Sequence, residues 1–183
     1  RTSAVRDGDK YVINGTKRWI TDADEADFAQ LLAVTDKDKG SRGGISLFLV
    51  DMDSPGVKIT AKYDTMMGDQ PCEIHFDNVE IPIEHRVGEE GEGFGLGQRF
   101  LAHGRLKHGA RGVGTAQRCL DMMCTYAKQR ETFGQRLSDR QAIQWLITDT
   151  HVETQAARLM VYNAADMASR GQLDRTDGFI QKM

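Results

Sequence analysis

The sequence has few cysteines and none of the long apolar runs that identify membrane or secreted proteins. Its three cysteines, Cys72, Cys119 and Cys124, form no CxxC pair, and such scattered thiols are typical of a reducing environment. No apolar run approaches the roughly 18 residues of a membrane span, and no apolar signal-peptide core follows Arg1. These absences predict a soluble protein of a reducing interior, such as the cytoplasm or the mitochondrial matrix.

The charge is too balanced to indicate a polyanionic partner. The 183 residues include 24 Lys and Arg against 27 Asp and Glu, for a formal net charge of −3, so nothing favours nucleic acid. His103 and His108 are five positions apart, which does not align them on a helix face, so we expect no metal site. With 28% charged and 39% hydrophobic residues, the composition is that of a globular protein with one large domain or two small ones.

The first part of the chain, up to about Pro82, has the pattern of short β-strands. Apolar or alternating runs of strand length are separated by turn signals such as Ser54-Pro55-Gly56. The alternation changes register at Asp77-Asn78, which indicates a β-bulge. We therefore predict an antiparallel β-barrel or sandwich, with strands within residues 28–35, 45–50, 57–60 and 73–81.

An early segment combines a turn signal with a large aromatic side chain. Asn14-Gly15 follows alternating residues and is typical of a two-residue turn, so we predict a β-hairpin there. The returning strand would carry Lys17 and Trp19 on one face, with Arg18 and Ile20 on the other.

Trp19 and Thr21 stand where this apolar pattern stops. A strand end is a rigid place from which an indole and a hydroxyl can be presented to a planar ligand. The same residues would also suit a core aromatic followed by a good strand former. The residues alone leave both interpretations open.

After Pro82 the spacing of apolar residues becomes helical. The glycine-rich stretch 88–97 lacks the third glycine of a phosphate loop, so we interpret it as a linker. The predicted organisation is a β-barrel domain over residues 1–87 and the first part of an antiparallel helical bundle over 88–183, an α+β fold.

Two long amphipathic helices are expected in this second part. The second begins at a capping box, Ser138-Asp139-Arg140-Gln141, and ends at Gly171, and a third helix starts near Thr176. The predicted buried stripes contain Leu106, Ala110, Val113, Ala116, Leu120, Met123 and Ala127 in the first helix, and Ile143, Ile147, Thr150, Thr154, Ala157, Val161, Ala164 and Ala168 in the second.

Between the two helices lies Arg130-Glu131-Thr132-Phe133-Gly134-Gln135. An arginine after a helix can simply complement the negative end of the helix dipole. Beside an exposed aromatic ring, a guanidinium can also hold a pyrophosphate.

Four segments of this chain, in order, resemble those of the acyl-CoA dehydrogenases. The resemblance extends over essentially all 183 residues. The segments are Tyr11-Val12-Ile13-Asn14-Gly15-Thr16-Lys17-Arg18-Trp19-Ile20-Thr21, Phe76-Asp77-Asn78-Val79-Glu80-Ile81-Pro82, Gly91-Glu92-Gly93-Phe94 and Arg130-Glu131-Thr132-Phe133-Gly134-Gln135.

The resemblance implies a middle β-barrel domain followed by part of a carboxy-terminal helical domain. In that family the Trp-Ile-Thr segment lies against the isoalloxazine of FAD, which assigns Trp19, Ile20 and Thr21 to the cofactor, with the threonine hydroxyl bonding flavin N5.

The connector is implied to meet the FAD of a neighbouring subunit. Arg130, Thr132 and Phe133 are thus expected to bind a cofactor held by another protomer, and Gln141 matches a further position on that surface. This implies a homo-oligomer, a dimer or tetramer.

The implied function is α,β-dehydrogenation of an acyl-CoA thioester, with hydride transfer to flavin N5 and an electron-acceptor flavoprotein as partner. In a subset of the family the catalytic glutamate directly precedes an arginine that matches Arg105, which we assign to the substrate. Gly104 occupies that position here, and Ala102 stands where some members carry an acidic residue. We therefore expect no catalytic residue in this chain and a base beyond Met183.

Two alternatives remain on the same scaffold, a flavin monooxygenase relative and a non-catalytic binding protein. His103 and His108 are the local rivals for the base. Because the sequence starts at Arg1 and stops within a helical pattern, we also expect it to be a piece of a longer polypeptide.

Overall fold

The computed structural model describes residues 2–172, which divide into two compact units. The first unit, up to Arg99, is built from strands, and the second, from Phe100 onward, is helical. The α+β class predicted from the sequence is confirmed. The third helix predicted near Thr176 lies outside the described residues.

The first unit is built on one seven-stranded sheet. Its strands are β1 (Thr2–Asp7), β2 (Lys10–Ile20), β3 (Phe28–Val34), β4 (Ile45–Asp51), β5 (Val57–Lys62), β6 (Cys72–Pro82) and β7 (Arg86–Val87). They lie in the order β5-β6-β2-β1-β3-β4-β7. Neighbours are antiparallel except β1 and β3, which meet in parallel register at Ser3 and Val34. The predicted antiparallel pairing is thus confirmed for every neighbouring pair of this sheet but one.

The sheet curls so that distant strands face each other across the core. Three strand spacings separate β2 from β4, which would be about 14 Å in a flat sheet. Yet the rings of Tyr11 on β2 and Phe48 on β4 have centroids 4.9 Å apart, and both residues are fully buried. The inward residues of β2, β3, β4 and β6 therefore pack into one core, as in a barrel.

The predicted bulge at Asp77-Asn78 is confirmed, but the predicted hairpin turn at Asn14-Gly15 is wrong. Asn78 has φ of 49°, and the register of β2 with β6 shifts beside it. Asn14 lies within β2, where its side-chain oxygen accepts the Asn78 backbone N–H at 2.9 Å. The hairpin turn is instead at Gly8-Asp9, between β1 and β2, where Gly8 has the positive φ of 63° that the first residue of a type II′ turn needs.

The glycine-rich stretch near residue 90 is docked on the sheet, so its interpretation as a linker is wrong. Glu92 forms a parallel bridge with Ile45, and the Gly91 N–H donates to Ser46 Oγ at 2.9 Å. A Cβ at Gly93 would collide with the backbone of Ser46 and Leu47. These glycines let the chain pass against β4 and enter the first long helix directly.

The second unit consists of two helices joined by a short hairpin. Helix α1 is Gly93–Gln129, the hairpin strands are β8 (Glu131–Thr132) and β9 (Gln135–Arg136), and α2 is Gln141–Ser169. No helix of the described chain combines the length and the apolar character that crossing a membrane requires. Of the predicted stripes, Val113, Leu120, Ala127, Thr154, Val161 and Ala164 are buried, whereas Ala110 and Ala157 are exposed.

The prediction for the start of α2 is wrong, whereas the prediction for its end is confirmed. The capping box is wrong, because Ser138 lies in a 3₁₀ turn and α2 starts after Arg140 without a side-chain cap. The stop at Gly171 is confirmed. Its N–H bonds the Ala168 carbonyl at 3.1 Å and the N–H of Gln172 bonds the Met167 carbonyl at 2.8 Å, the pairing of a Schellman motif.

Candidate functional site

The end of β2 is distorted by a second bulge, which the sequence did not predict. Arg18 and Trp19 together oppose the single residue Glu73 of β6, because the register shifts between Lys17 and Ile20. Trp19 takes φ of 60°, a left-handed conformation that is costly for a bulky residue. Its side chain is 62% exposed, so the interpretation of Trp19 as a core aromatic is wrong.

The bulge also overturns the predicted assignment of side chains to faces. Lys17 and Ile20 turn inward, whereas Arg18 and Trp19 are both exposed. The Lys17 ammonium donates to the Leu32 carbonyl on β3 at 2.7 Å, and burial lowers the pKa of this lysine. Ile20 packs against the core of the first unit. The exposed indole thus lies at a strand end whose neighbouring residues, Lys17 and Ile20, are held against the rest of the first unit.

Tyr63, just after β5, packs its ring against the indole of Trp19. The centroids of the Trp19 and Tyr63 rings are 4.4 Å apart at an interplanar angle of 32°. The Tyr63 hydroxyl donates to Glu73 Oε2 at 2.8 Å, and that bond is the largest cause that lowers the pKa of Glu73. The same carboxylate accepts Thr60 Oγ1 at 2.9 Å and Arg18 Nε at 2.5 Å.

In the loop after β2, Thr21 is exposed to solvent, whereas the nearby residues Ala23 and Asp24 contact the rest of the first unit. Thr21 is exposed, and its hydroxyl makes no hydrogen bond to any residue in the range 2–172. Ala23 is only 4% exposed and belongs to the core. The Asp24 carboxylate pairs with Lys62 and also accepts the Cys72 thiol at 3.7 Å, and the bond from Lys62 lowers the pKa of Asp24. An exposed flat ring and an exposed hydroxyl at one rigid strand end suit a planar heterocycle with a polar edge, such as a flavin.

The hairpin between α1 and α2 presents Phe133 to solvent. Phe133 and Gly134 both have positive φ, 52° and 76°, as in a type I′ turn. The Phe133 side chain is 99% exposed. Arg140 fixes the hairpin from behind, because its Nη2 donates to the Thr132 carbonyl at 2.5 Å and lies 3.1 Å from the Thr132 hydroxyl. Its guanidinium carbon also lies 5.8 Å from the centroid of the Phe133 ring.

Two further predicted residues flank this hairpin. Arg130 follows α1 directly, is exposed, and forms no ion pair with the described part of the chain. Gln141 is the exposed first residue of α2, where backbone N–H groups favour negative charge. The second unit therefore brings Arg130, Thr132, Phe133 and Gln141 to one end, while Trp19, Ile20 and Thr21 cluster in the first unit.

Arg105 is well separated from the hairpin within the second unit. It lies 24 residues before the end of α1 at Gln129, which is about 36 Å along a helix. One small ligand group therefore cannot touch both Arg105 and Arg130 of the same chain. The preceding Gly104 faces open space, since an added Cβ there would meet no atom within 4 Å.

Sequence reasoning missed Tyr63 and assigned Arg140 only to a capping box. The partners of Tyr63 are distant in sequence, so no local pattern indicates its role. Arg140 lies eight residues from Thr132, and its position just before α2 was the one available signal. No group of three or more His, Cys, Asp or Glu side chains between residues 2 and 172 is placed to hold a metal ion.

Two protein-family models match the chain. The model described as acyl-CoA dehydrogenase, middle domain, matches residues 1–79. The model described as acyl-CoA dehydrogenase, C-terminal domain, matches residues 91–183.

Individual relatives extend over nearly the whole chain. A probable acyl-CoA dehydrogenase of Mycobacterium tuberculosis is 41% identical over 182 residues, which is 98% of this chain and 46% of that protein. The subunit CarC of the caffeyl-CoA reductase-Etf complex of Acetobacterium woodii is 43% identical, over 91% of this chain and 44% of its own. The solved structure of butyryl-CoA dehydrogenase from Megasphaera elsdenii matches with a TM-score of 0.91 and 35% identity, over 99% of this chain and 48% of that one. The chain thus spans about half the length of the relatives that it matches.

Proposed function

The chain belongs to the acyl-CoA dehydrogenase family, as its four motifs predicted, and on that premise we propose that it acts in the α,β-dehydrogenation of an acyl-CoA thioester. The observation that carries the proposal is the exposed, left-handed Trp19 beside the exposed hydroxyl of Thr21. FAD, when bound, would supply the acceptor for the hydride that leaves the β-carbon of the substrate.

The end of β2 would hold one side of the flavin. The Trp19 indole would cover the ring system, Ile20 would supply backbone and apolar contact, and the Thr21 hydroxyl would donate to its polar edge. Fixed donors near a centre that gains electrons stabilise the developing charge without reorganisation. The inward anchoring of Lys17 and Ile20 supports this role, since it keeps the presenting strand rigid.

The hairpin surface would bind the FAD of a neighbouring protomer. Arg130 would pair with the pyrophosphate, and Phe133, Thr132 and Gln141 would contact the same cofactor. The fully exposed aromatic ring and the separation of Arg105 from Arg130 along α1 both support a second ligand at this end. A homotetramer would satisfy this arrangement, with Arg105 contacting the acyl-CoA.

The proposed redox partner is an electron-transferring flavoprotein. The CarC relative belongs to a reductase-Etf complex by name, and a structure described under the electron transferring flavoprotein of Acidaminococcus fermentans matches 99% of this chain with a TM-score of 0.89. The catalytic base is proposed to lie outside the described residues, because Gly104 carries no side chain that accepts a proton.

The test is anaerobic reduction of the flavin in the full-length protein. Acyl-CoA thioesters of several chain lengths are added, and loss of the visible flavin absorbance is recorded. Bleaching by at least one thioester is expected, and Trp19→Leu should slow it or weaken FAD binding. Trp145→Phe is the matched control, since Trp145 is 60% exposed on α2 and has no proposed contact with the cofactor.

A full-length protein that holds FAD but is bleached by no thioester would overturn the dehydrogenase proposal. Oxidation of NAD(P)H with uptake of oxygen would then favour the monooxygenase alternative. A protein that retains no FAD would favour the non-catalytic one.

A further inference from the structure

An exposed indole at a strand end is poorly defined unless something fixes its ring. Trp19 is 62% exposed, and a free side chain of this kind samples several rotamers. A productive binding site needs its groups within about 0.5 Å and 10–20° of the correct geometry. The cofactor-facing role of Trp19 therefore requires a positioning contact.

Tyr63 supplies the one aromatic contact to Trp19 among residues 2–172. Their centroid distance of 4.4 Å and interplanar angle of 32° are those of a tilted stack, in which the phenol lies over the indole. Tyr63 follows directly after β5. Its backbone is held by a hydrogen bond from its N–H to the Pro71 carbonyl at 3.0 Å. The phenol ring thus limits the movement of the indole on the face that it covers.

The phenol is fixed in turn by Glu73. This carboxylate lies opposite the bulge on β6, and its side chain is only 16% exposed. Its Oε2 accepts the Tyr63 hydroxyl at 2.8 Å and Arg18 Nε at 2.5 Å, while Thr60 occupies Oε1. Both oxygens of the carboxylate therefore accept hydrogen bonds from side chains of the first unit.

These contacts form a closed circuit of four residues. Arg18 binds Glu73, Glu73 binds Tyr63, Tyr63 packs on Trp19, and Trp19 is covalently joined to Arg18. Because Arg18 and Trp19 are the two bulge residues, these contacts connect the backbone bulge to the indole ring. A closed circuit restricts each member more than an isolated pair does.

We propose that Tyr63 is a positioning residue that orients the Trp19 indole for the cofactor, and that Glu73 anchors Tyr63 in this role. The inference rests on the proposed function, since it assigns a ligand to the exposed face of Trp19. It adds two residues, Tyr63 and Glu73, that do not touch the flavin themselves.

The test uses the full-length protein in a Trp145→Phe background, so that Trp19 is the one tryptophan left among residues 1–183. The variants are Tyr63→Leu, Tyr63→Phe and Glu73→Gln, with Tyr162→Leu as the matched control because Tyr162 is 62% exposed on α2. The readouts are the FAD dissociation constant, the visible flavin spectrum and the emission of Trp19 in the FAD-free protein.

Tyr63→Leu should weaken FAD binding about three- to tenfold, the range expected for loss of one aromatic pair. It should also shift the flavin band and the Trp19 emission. Tyr63→Phe keeps the ring but loses its hydrogen bond, and Glu73→Gln weakens that bond by removing the charge of the acceptor, so both should change the spectra in the same direction by less. Tyr162→Leu should change none of the three readouts.

Trp19→Leu separates the two proposals. If Trp19→Leu alters the flavin spectrum while Tyr63→Leu, Tyr63→Phe and Glu73→Gln leave spectrum and affinity unchanged, the positioning role is overturned and the flavin site stands. If Trp19→Leu itself changes neither the spectrum nor the affinity, the flavin site at Trp19 and the positioning role both fall. Should Tyr63→Leu not fold, the two conservative variants decide the question alone.

Discussion

Arg140 Nη2 lies 2.5 Å from the carbonyl oxygen of Thr132 and 3.1 Å from its hydroxyl oxygen. One guanidinium thereby joins the residue before α2 to the hairpin that precedes it. The rigidity of the Phe133 turn thus depends on a residue beyond the turn itself.

We predict that Arg140→Ala lowers the free energy of unfolding by about 1–3 kcal/mol, because charge-assisted hydrogen bonds to Thr132 are lost. Arg136→Ala is the control, since its ion pair with Glu131 spans 3.7 Å between two side chains that are more than half exposed. Urea denaturation of both variants measures the difference. Equal stabilities would contradict the role assigned to Arg140.

Arg130→Ala in the full-length protein should weaken FAD retention about tenfold or more, because a charge-assisted pair with a phosphate contributes roughly 1.5–3 kcal/mol. Gel filtration followed by absorbance gives the flavin-to-protein ratio. Lys128→Ala, which removes an exposed charge from the last turn of α1, is the control. A stoichiometric flavin content in the Arg130 variant would refute the assignment.

A pH dependence follows from Glu73. The Tyr63, Thr60 and Arg18 contacts lower its pKa below the ordinary value of 4.5. A carboxyl group with a lowered folded-state pKa stabilises the fold above the ordinary value, and this stabilisation is lost as the pH falls through the folded-state value. Glu73→Gln should therefore flatten the decline of stability below about pH 4.5, measured by urea unfolding from about pH 3 to pH 6. If the stability of Glu73→Gln fell as steeply with decreasing pH as that of the unchanged protein, the prediction would be wrong.

His103→Ala and His108→Ala should each reduce anaerobic flavin bleaching by acyl-CoA by far less than the roughly thousandfold loss expected on removing a catalytic base. The reason is that the proposed base lies outside residues 2–172. A drop of more than about a thousandfold in either variant, with FAD still bound, would place the base on α1.

Gly93→Ala should destabilise the protein by about 1–3 kcal/mol, because the new Cβ would collide with the backbone of Ser46 and Leu47. Gly95→Ala is the matched control two positions along α1, where an added Cβ would meet no atom within 4 Å. The control should be neutral or stabilising by up to about 1 kcal/mol, since alanine favours the helix. Thermal unfolding of the pair checks both signs.

The strands and the first bulge were predictable because their signals are local. Alternation locates β6, and its register change at Asp77-Asn78 marks a real bulge. Asn14-Gly15 gave a wrong turn prediction because residues that tolerate positive φ occur in bulges and irregular strands as well as in turns. Gly15 has φ of 142° and lies inside β2. The Gly8-Asp9 pair was an equally good turn signal.

The geometry of the candidate site was not predictable, because it depends on residues distant in sequence. The bulge at Arg18 and Trp19 exists only opposite Glu73, which is 55 positions from Arg18. The motif could name Trp19 and Thr21, and the structure places both at an exposed strand end. It could not show that Tyr63 packs on the indole or that Glu73 holds Tyr63. The contact of Trp19 and Thr21 with a flavin stays a prediction.

The order of the sheet leaves β5 with one neighbouring strand and ends the other side with the two-residue strand β7. An uncovered strand edge can template pairing between molecules and so promote fibrillar aggregation. Here the long edge carries the exposed Lys58, so an edge-to-edge association of two copies would bring like charges together, whereas Lys62 is paired with Asp24. On the opposite side, β7 pairs with Leu47 and Phe48 of β4, and the bridge of Ile45 to Glu92 covers a further position. Under dilute conditions the β unit should therefore resist amyloid-type self-pairing despite its β-rich sequence.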